Sequence, residues 1–227
     1  MRNQAELKLI YINGLAGSGK DTQAGIIAEH LPLTSKIIST GTIVREAMES
    51  EKNQYHQILK DNFEQSRNGG LVDDMPILNI VIKEIDEGIG AGKDTQIFPG
   101  FERTKFQHDF MNSHYAVYEQ MGMLVRPVYF LLDIPESKSK NRAEERRNKA
   151  IANGETIRRD DYPDVVERRV KEFNEKIRPF SDYLDKEKKL IIIDGRDGIG
   201  VVARKVLTSL NIVPNEEIIQ RAIDKAK

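Results

Sequence analysis

The chain has 227 residues, with 35 Lys and Arg against 36 Asp and Glu and a formal net charge of −1; this balance excludes the general basic field of a nucleic-acid binder, so any anion site must be built locally. It contains no cysteine, which excludes disulfides and thiolate zinc ligation and suits a reducing compartment. No apolar stretch approaches the roughly 18 residues of a membrane span and the N-terminus has no signal-peptide pattern, so the expectation is a cytoplasmic protein of one large α/β domain, residues 1–227, carrying inserts.

An apolar run at residues 7–12 feeds directly into a glycine-rich segment, Gly14, Leu15, Ala16, Gly17, Ser18, Gly19, Lys20, Asp21 and Thr22, which opens a helical pattern. Glycines there let backbone N–H groups turn inward on an anion. The helix N-terminus adds its positive end, and Lys20 has the reach for the outer phosphates of a nucleotide. The general phosphate-loop pattern places Ser or Thr straight after Lys. Here Asp21 intervenes, and Thr22 offers the hydroxyl to Mg²⁺, directly or through water. A second GKDT at residues 92–95 follows a helical stretch (77–85), precedes a strand (96–98) and has Glu87 where the leading glycine belongs. It reads as a helix-to-strand connection and not as a second phosphate site.

Further apolar runs stand at 36–38, 96–98, 128–132 and 190–193, separated by longer helical patterns. Continuous rather than alternating strands indicate a sheet buried on both faces. The alternation of strand and helix predicts a doubly wound, parallel, five-stranded sheet with helices on both faces and ligands beyond the carboxyl ends of its strands. Between about 164 and 184, Val166, Val170, Phe173, Ile177 and Phe180 recur at helical spacing as an inner face, with Pro179 expected to kink or loosen the last turns. Residues 215–227 form a terminal amphipathic helix with Ile218, Ile219, Ala222 and Ile223 on one side. His30, His56, His108 and His114 have no ligand spacing and read as structural or solvent-facing.

The loop resembles the GKGTQ ending of the adenylate kinase loop, with Asp21 in place of a glycine and Gln23 retained. The succession continues with IISTGTIVREAM (37–48), GGLVDDMP (69–76) and IFPGFERTKFQ (97–107), similar to that family's STGDxLR, GxLVxD and DGFPRTxxQ. NRAEERR (141–147), RRDDYPDVVERRV (158–170) and LIIIDG (190–195) resemble its later segments. The resemblance covers about residues 7–210. It implies the P-loop nucleotide kinase fold, with a monophosphate-binding insert at 39–74, a short lid at 147–158 and a helical tail at 211–227.

The same resemblance implies an ATP:AMP phosphotransferase, acting reversibly by in-line displacement on free ATP and AMP as a monomer, with Mg²⁺ as cofactor, no zinc, and no nucleic-acid or membrane partner. The loop residues Gly14, Ala16, Gly17, Ser18, Gly19, Lys20, Asp21 and Thr22 would hold the donor with Arg142 and Arg196 near its base and Arg146 and Arg158 on its phosphates. Thr40, Gly41, Arg45, Val72, Gly100, Arg103 and Gln107 would form the acceptor site, shared with Arg158 and Arg169. Lys20, Arg103, Arg146, Arg158 and Arg169 would be the catalytic set. Thr40 and Gln107 are the adenylate-type choices, since relatives acting on UMP or CMP usually carry Ala and Asn. Two family aspartates that orient the water shell of Mg²⁺ are replaced, by Pro99 and Thr42, and Glu102 and Asp21 stand as candidate substitutes. A kinase for another nucleoside monophosphate, and a weakly active regulatory relative, remain as alternatives at this point.

Overall fold

The computed structural model describes residues 5–67 and 74–226. Strands β1 (Ala5–Gly14), β2 (Ser35–Ile37), β3 (Thr95–Pro99), β4 (Met123–Asp133) and β5 (Leu190–Asp194) alternate with helices α1 (Lys20–His30), α2 (Thr40–Glu49), α3 (His56–Arg67), α4 (Met75–Gly90), α5 (Lys105–Gln120), α6 (Glu136–Ala152), α7 (Pro163–Glu172), α8 (Arg178–Lys186), α9 (Ile199–Ser209) and α10 (Glu216–Lys225). The strands form one parallel sheet in the order β2-β3-β1-β4-β5, with Ile37 opposite Ile97 at one edge and Asp133 opposite Asp194 at the other. This is the α/β architecture of a P-loop nucleotide kinase. Every residue of β3 is buried, as are Leu9 to Gly14 of β1, while the edge strands expose Ile37 and Ile192. Continuous apolar runs thus mark the strands flanked on both sides.

The chain groups into two compact units, residues 1–11 with 33–127, and residues 12–32 with 128–227. In the first, Tyr11 stacks on Phe98 with ring centroids 4.7 Å apart, and Phe98 lies 6.2 Å from Phe101. Ala47, Tyr55, Leu59 and Ile80 form a smaller core among α2, α3 and α4. The second GKDT segment is a helix-to-strand connection, as its context predicts. The Gly92 N–H donates to Ile89 O at 2.9 Å and the Lys93 N–H to Gly88 O at 2.8 Å, closing α4 before β3 begins.

In the second unit, Leu15, Leu131, Ile134, Val170 and Phe173 form a cluster with Ile177 and Leu190 packed against it. Val166, Val170, Phe173 and Phe180 are buried, as their spacing predicts. Between α7 and α8 the helix widens to a π-helical turn, Phe173–Ile177, closed by the Arg178 N–H on Phe173 O. Pro179 supplies the cause, because it lacks an N–H for the next α-helical bond.

The tail helix α10 packs on α1 and α9. Asn215 caps it by accepting from the Glu217 and Ile218 N–H groups. His30 joins α1 to this cap: its Nδ1–H donates to Ile26 O at 2.8 Å, leaving Nε2 to accept the Asn215 N–H at 2.9 Å. Glu29 pairs with Arg221 at 3.3 Å and Lys225 at 3.5 Å. These exposed pairs contribute little; the buried Ile219, which lies with Ile223 against Gly200, holds the helix. Ile219→Ala should lower unfolding free energy by about 2–5 kcal/mol in urea titration, whereas Val213→Ala, at an exposed position, should change it by under about 0.5 kcal/mol.

Candidate active site

β1 delivers the chain to Gly14, and α1 starts at Lys20 after Gly19 takes the left-handed conformation, φ 95°. Two glycines explain why the intervening turn admits so few side chains. A Cβ on Gly14 would stand 2.6 Å from the Leu132 carbonyl oxygen and 2.6 Å from Ser18 Oγ. One on Gly17, whose φ is +75°, would meet Arg142 Cβ and Arg146 Nη1 at 3.4 Å. The turn is fixed by the Ser18 N–H on Leu15 O at 3.0 Å and by Ser139 Oγ donating to Ala16 O at 2.6 Å. Inside it the Ser18 hydroxyl, on a residue 3% exposed, has no hydrogen-bond partner within the protein. An orphaned hydroxyl buried in a glycine-rich turn at the start of a helix fits an anionic ligand. Lys20 Nζ folds back on Leu15 O at 3.4 Å, and Asp21 and Thr22 occupy the first turn of α1.

The second unit brings Arg142 and Arg146 of α6 to this loop. Arg142 donates from Nη1 to Gly17 O at 2.7 Å and from Nη2 to Gly195 O at 3.2 Å, and burial lowers its pKa. Arg146 grips Asp161 with Nη2 to Oδ1 at 2.6 Å and Nε to the same oxygen at 3.2 Å. Asp161 is 4% exposed and lies in a 3₁₀ turn, Arg159–Asp161, that Arg158 precedes. Arg169 on α7 pairs with Asp160 at 2.8 Å. Arg196 turns onto Asp194, Nη2 to Oδ2 at 2.7 Å, and holds that carboxyl well below the usual range. Gln23, retained from the family loop, donates to Ile199 O at 3.3 Å and joins α1 to α9. The sequence reading named the arginines but missed Asp160, Asp161 and Asp194. Two of these stand within three residues of Arg158 in RRDD, the signal that was available.

The acceptor-type residues lie in the first unit, on two turns. Ser39 caps α2; Thr42 Oγ1 donates to Ser39 Oγ at 3.1 Å and accepts from Arg45 Nη2 at 3.0 Å. Thr40 is buried, and Gly41 leaves room for Arg45, whose Nη1 would be 3.5 Å from a Cβ there. The other turn follows β3. Arg103 Nε donates to Gly100 O at 2.6 Å, and the Arg103 backbone N–H donates to Gln107 Oε1 at 2.8 Å. Gln107 Nε2 donates to Asp74 Oδ1 at 2.9 Å. Gly100, Arg103 and Gln107 thus form one hydrogen-bonded group, and Asp74 joins it unforeseen. Val72, expected in the same site, lies outside the described residues.

Glu102 corrects an expectation. As a substitute metal carboxylate it would have to face solvent or ligand, yet it is 0% exposed. Its Oε2 receives His108 Nδ1 at 2.8 Å, its Oε1 accepts from the Tyr115 hydroxyl at 3.1 Å, and the Tyr115 and Tyr11 hydroxyls are bonded to each other. Burial pushes its carboxyl pKa up against the opposing pull of His108 and Tyr115. The side chain that replaces the family proline therefore braces the turn from inside, and His108 is its structural partner. Among the described residues, no three His, Asp or Glu side chains converge as a metal centre.

The chain is similar to known proteins over most of its length. Residues 13–158, more than half of the chain, match the family model described as AAA domain. Among similar proteins are an adenylate kinase of Deinococcus deserti, 32% identical over 209 residues that cover 91% of this chain and 98% of that protein, and one of Chelativorans sp., 31% identical over 200 residues covering 88% and 96%. Adenylate kinase 2 of Nostoc sp. is 28% identical over 208 residues, covering 90% and 98%. With its phosphate loop, its parallel sheet and its two sets of arginines, the chain belongs to the adenylate kinase family and is a nucleoside monophosphate kinase.

Proposed function

We propose that the enzyme transfers the γ-phosphoryl of ATP to AMP, reversibly and by in-line displacement. The observation that carries the acceptor choice is the 2.8 Å bond between the Arg103 N–H and the Gln107 amide, which ties a phosphate clamp to a base-reading group on one turn. The names of the similar proteins support the same acceptor. In this reading residues 39–74 receive the monophosphate, 147–158 are the lid and 211–227 the tail. The loop of residues 14–22 takes the donor phosphates, with the Ser18 and Thr22 hydroxyls and Lys20 turned to them. Arg142 and Arg196 lie near the donor base.

Phosphoryl transfer asks little covalent chemistry of a protein; positioning and charge neutralisation supply most of the acceleration. Lys20, Arg146 and Arg158 neutralise the donor phosphates, and Arg45, Arg103 and Arg169 the acceptor phosphate, through the planar forks of the guanidinium groups. Arg146 and Arg169 are oriented by Asp161 and Asp160. A lid closed over the site keeps out the water that would otherwise hydrolyse ATP.

The residues present fit nucleotide-borne Mg²⁺: Thr22 would offer it a hydroxyl, directly or through water, with the nucleotide phosphates supplying the other oxygen ligands. When bound, the ion neutralises charge across the donor phosphates. Pro99 and Thr42 replace two carboxylates of its outer shell, and the Thr42 hydroxyl is given to Ser39 and Arg45 instead. A cytoplasmic monomer acting on free nucleotides completes the reading. The near-neutral charge supports the lack of a nucleic-acid partner, and no described helix is long and apolar enough to cross a membrane.

A coupled ADP-formation assay with ATP, Mg²⁺ and a panel of monophosphates should give AMP the highest kcat/KM; a higher value for UMP, CMP or dTMP would overturn the acceptor assignment, and near-zero turnover with intact nucleotide binding would favour a regulatory relative. Arg103→Ala should lower turnover by about 10²-fold or more, and Arg126→Ala, at an exposed strand position outside every motif, should leave it unchanged. The Mg²⁺ requirement should be high in the wild type and fall in the Pro99→Asp, Thr42→Asp double variant, tested jointly because both changes act on one hydrated ion. Glu102→Gln should leave it where it was. Titration of activity against free Mg²⁺ at saturating ATP and AMP reads all three proteins, and equal half-saturation in a folded double variant would show another route to metal organisation.

A further inference from the structure

We propose that Asp74 fixes which way round the Gln107 amide faces, and through it makes the enzyme select 6-amino over 6-oxo purine monophosphates. The inference rests on the acceptor-site reading above. Gln107 is 6% exposed, so its amide must satisfy its neighbours. A backbone N–H only donates, so the atom 2.8 Å from Arg103 N is the oxygen. A carboxylate only accepts, so the atom 2.9 Å from Asp74 Oδ1 is the nitrogen. The reversed amide would set two donors against each other at Arg103 and two acceptors at Asp74, and buried groups left in that state are costly.

One N–H and one oxygen lone pair of Gln107 remain for a ligand. Adenine presents an acceptor at N1 beside a donor at the 6-amino group, and an amide in the fixed sense matches both. Hypoxanthine has nearly the same shape with a donor at N1 and an acceptor at C6, and requires the reversed amide. Discrimination between the two therefore depends on what opposes the reversal. The Arg103 N–H is one opponent and belongs to the backbone. Asp74 is the other, and it occupies the cap position of α4 without making a side-chain capping bond. Its carboxylate serves Gln107, not the helix end. Asp74 is thus a positioning residue, separate from the groups that touch substrate.

The test measures kcat and KM for AMP and IMP, with equilibrium binding of each by calorimetry, in the wild type and in Asp74→Asn. Asparagine keeps the shape but offers either a donor or an acceptor, so it accepts both amide orientations. The AMP-to-IMP ratio of kcat/KM should fall by about tenfold, mainly through the two KM values, with KM for ATP and Tm unchanged. Asp74→Ser, which also donates or accepts, should shift the ratio in the same direction if the asparagine variant is unstable. An unchanged ratio in a variant still active on AMP, or a wild type that does not separate AMP from IMP, would overturn the inference alone. Failure of the folded wild type to bind or use AMP would overturn the acceptor reading and the inference together.

Discussion

The close approach of the glycine loop to the end of β4 constrains the second compact unit of this molecule. Gly14 lies where a Cβ would press on the Leu132 carbonyl at 2.6 Å, and backbone at a strand end cannot yield as a flexible side chain can. The same turn holds the Ser18 hydroxyl, buried and without a partner within the protein. Arg142 of α6 binds a carbonyl of the same loop. Any side chain at Gly14 would therefore press on the strand end and on Ser18.

The arginines that the resemblance assigns to phosphates are not held equivalently. Asp161 is almost fully buried, so removing Arg146 from it exposes a desolvated carboxylate to low dielectric, and that pairing has weight. Arg169 and Asp160 are a third to a half exposed, where solvent and salt reduce a pair to about 1 kcal/mol or less. Arg196 and Asp194 lie at the surface and are cheaper still to separate. A nucleotide arriving at the site thus meets guanidinium groups ordered by neighbours of very different hold.

Much of this was legible in the sequence because it depends on local pattern. The five strands, the glycine loop and the inner face of the helix at Val166, Val170, Phe173 and Phe180 follow from apolar periodicity and from backbone conformations that only glycine favours. The tail helix was visible as an amphipathic segment, but its place was not: it depends on His30 and Gly200, which are distant in sequence and unremarkable alone. Glu102 misled for a related reason. A carboxylate beside a phosphate-binding arginine suggests metal chemistry, and only tertiary packing reveals His108 and Tyr115 closing over it. Asp74 was read as part of a motif without a task, because a hydrogen bond to a residue 33 positions away has no periodic signature.

The acidic groups around the Arg103 turn therefore have a different distribution of work from the family pattern. Where that pattern places aspartates toward the metal, this chain has Pro99 and Thr42; where it places a proline, this chain has Glu102 in the core. A proline stiffens a turn by restricting its own φ. Glu102 holds the same turn by tying it to two side chains of α5, and Asp74 holds Gln107 from the start of α4. Glu102 bonds His108 and Tyr115, and Asp74 bonds Gln107, which in turn holds the Arg103 N–H. The consequence is a turn whose order depends on linked hydrogen bonds, which are strong while every partner is present and costly once one is removed. Substitutions at Glu102 or Asp74 should accordingly be read first through the order of the turn that carries Arg103 and Gln107.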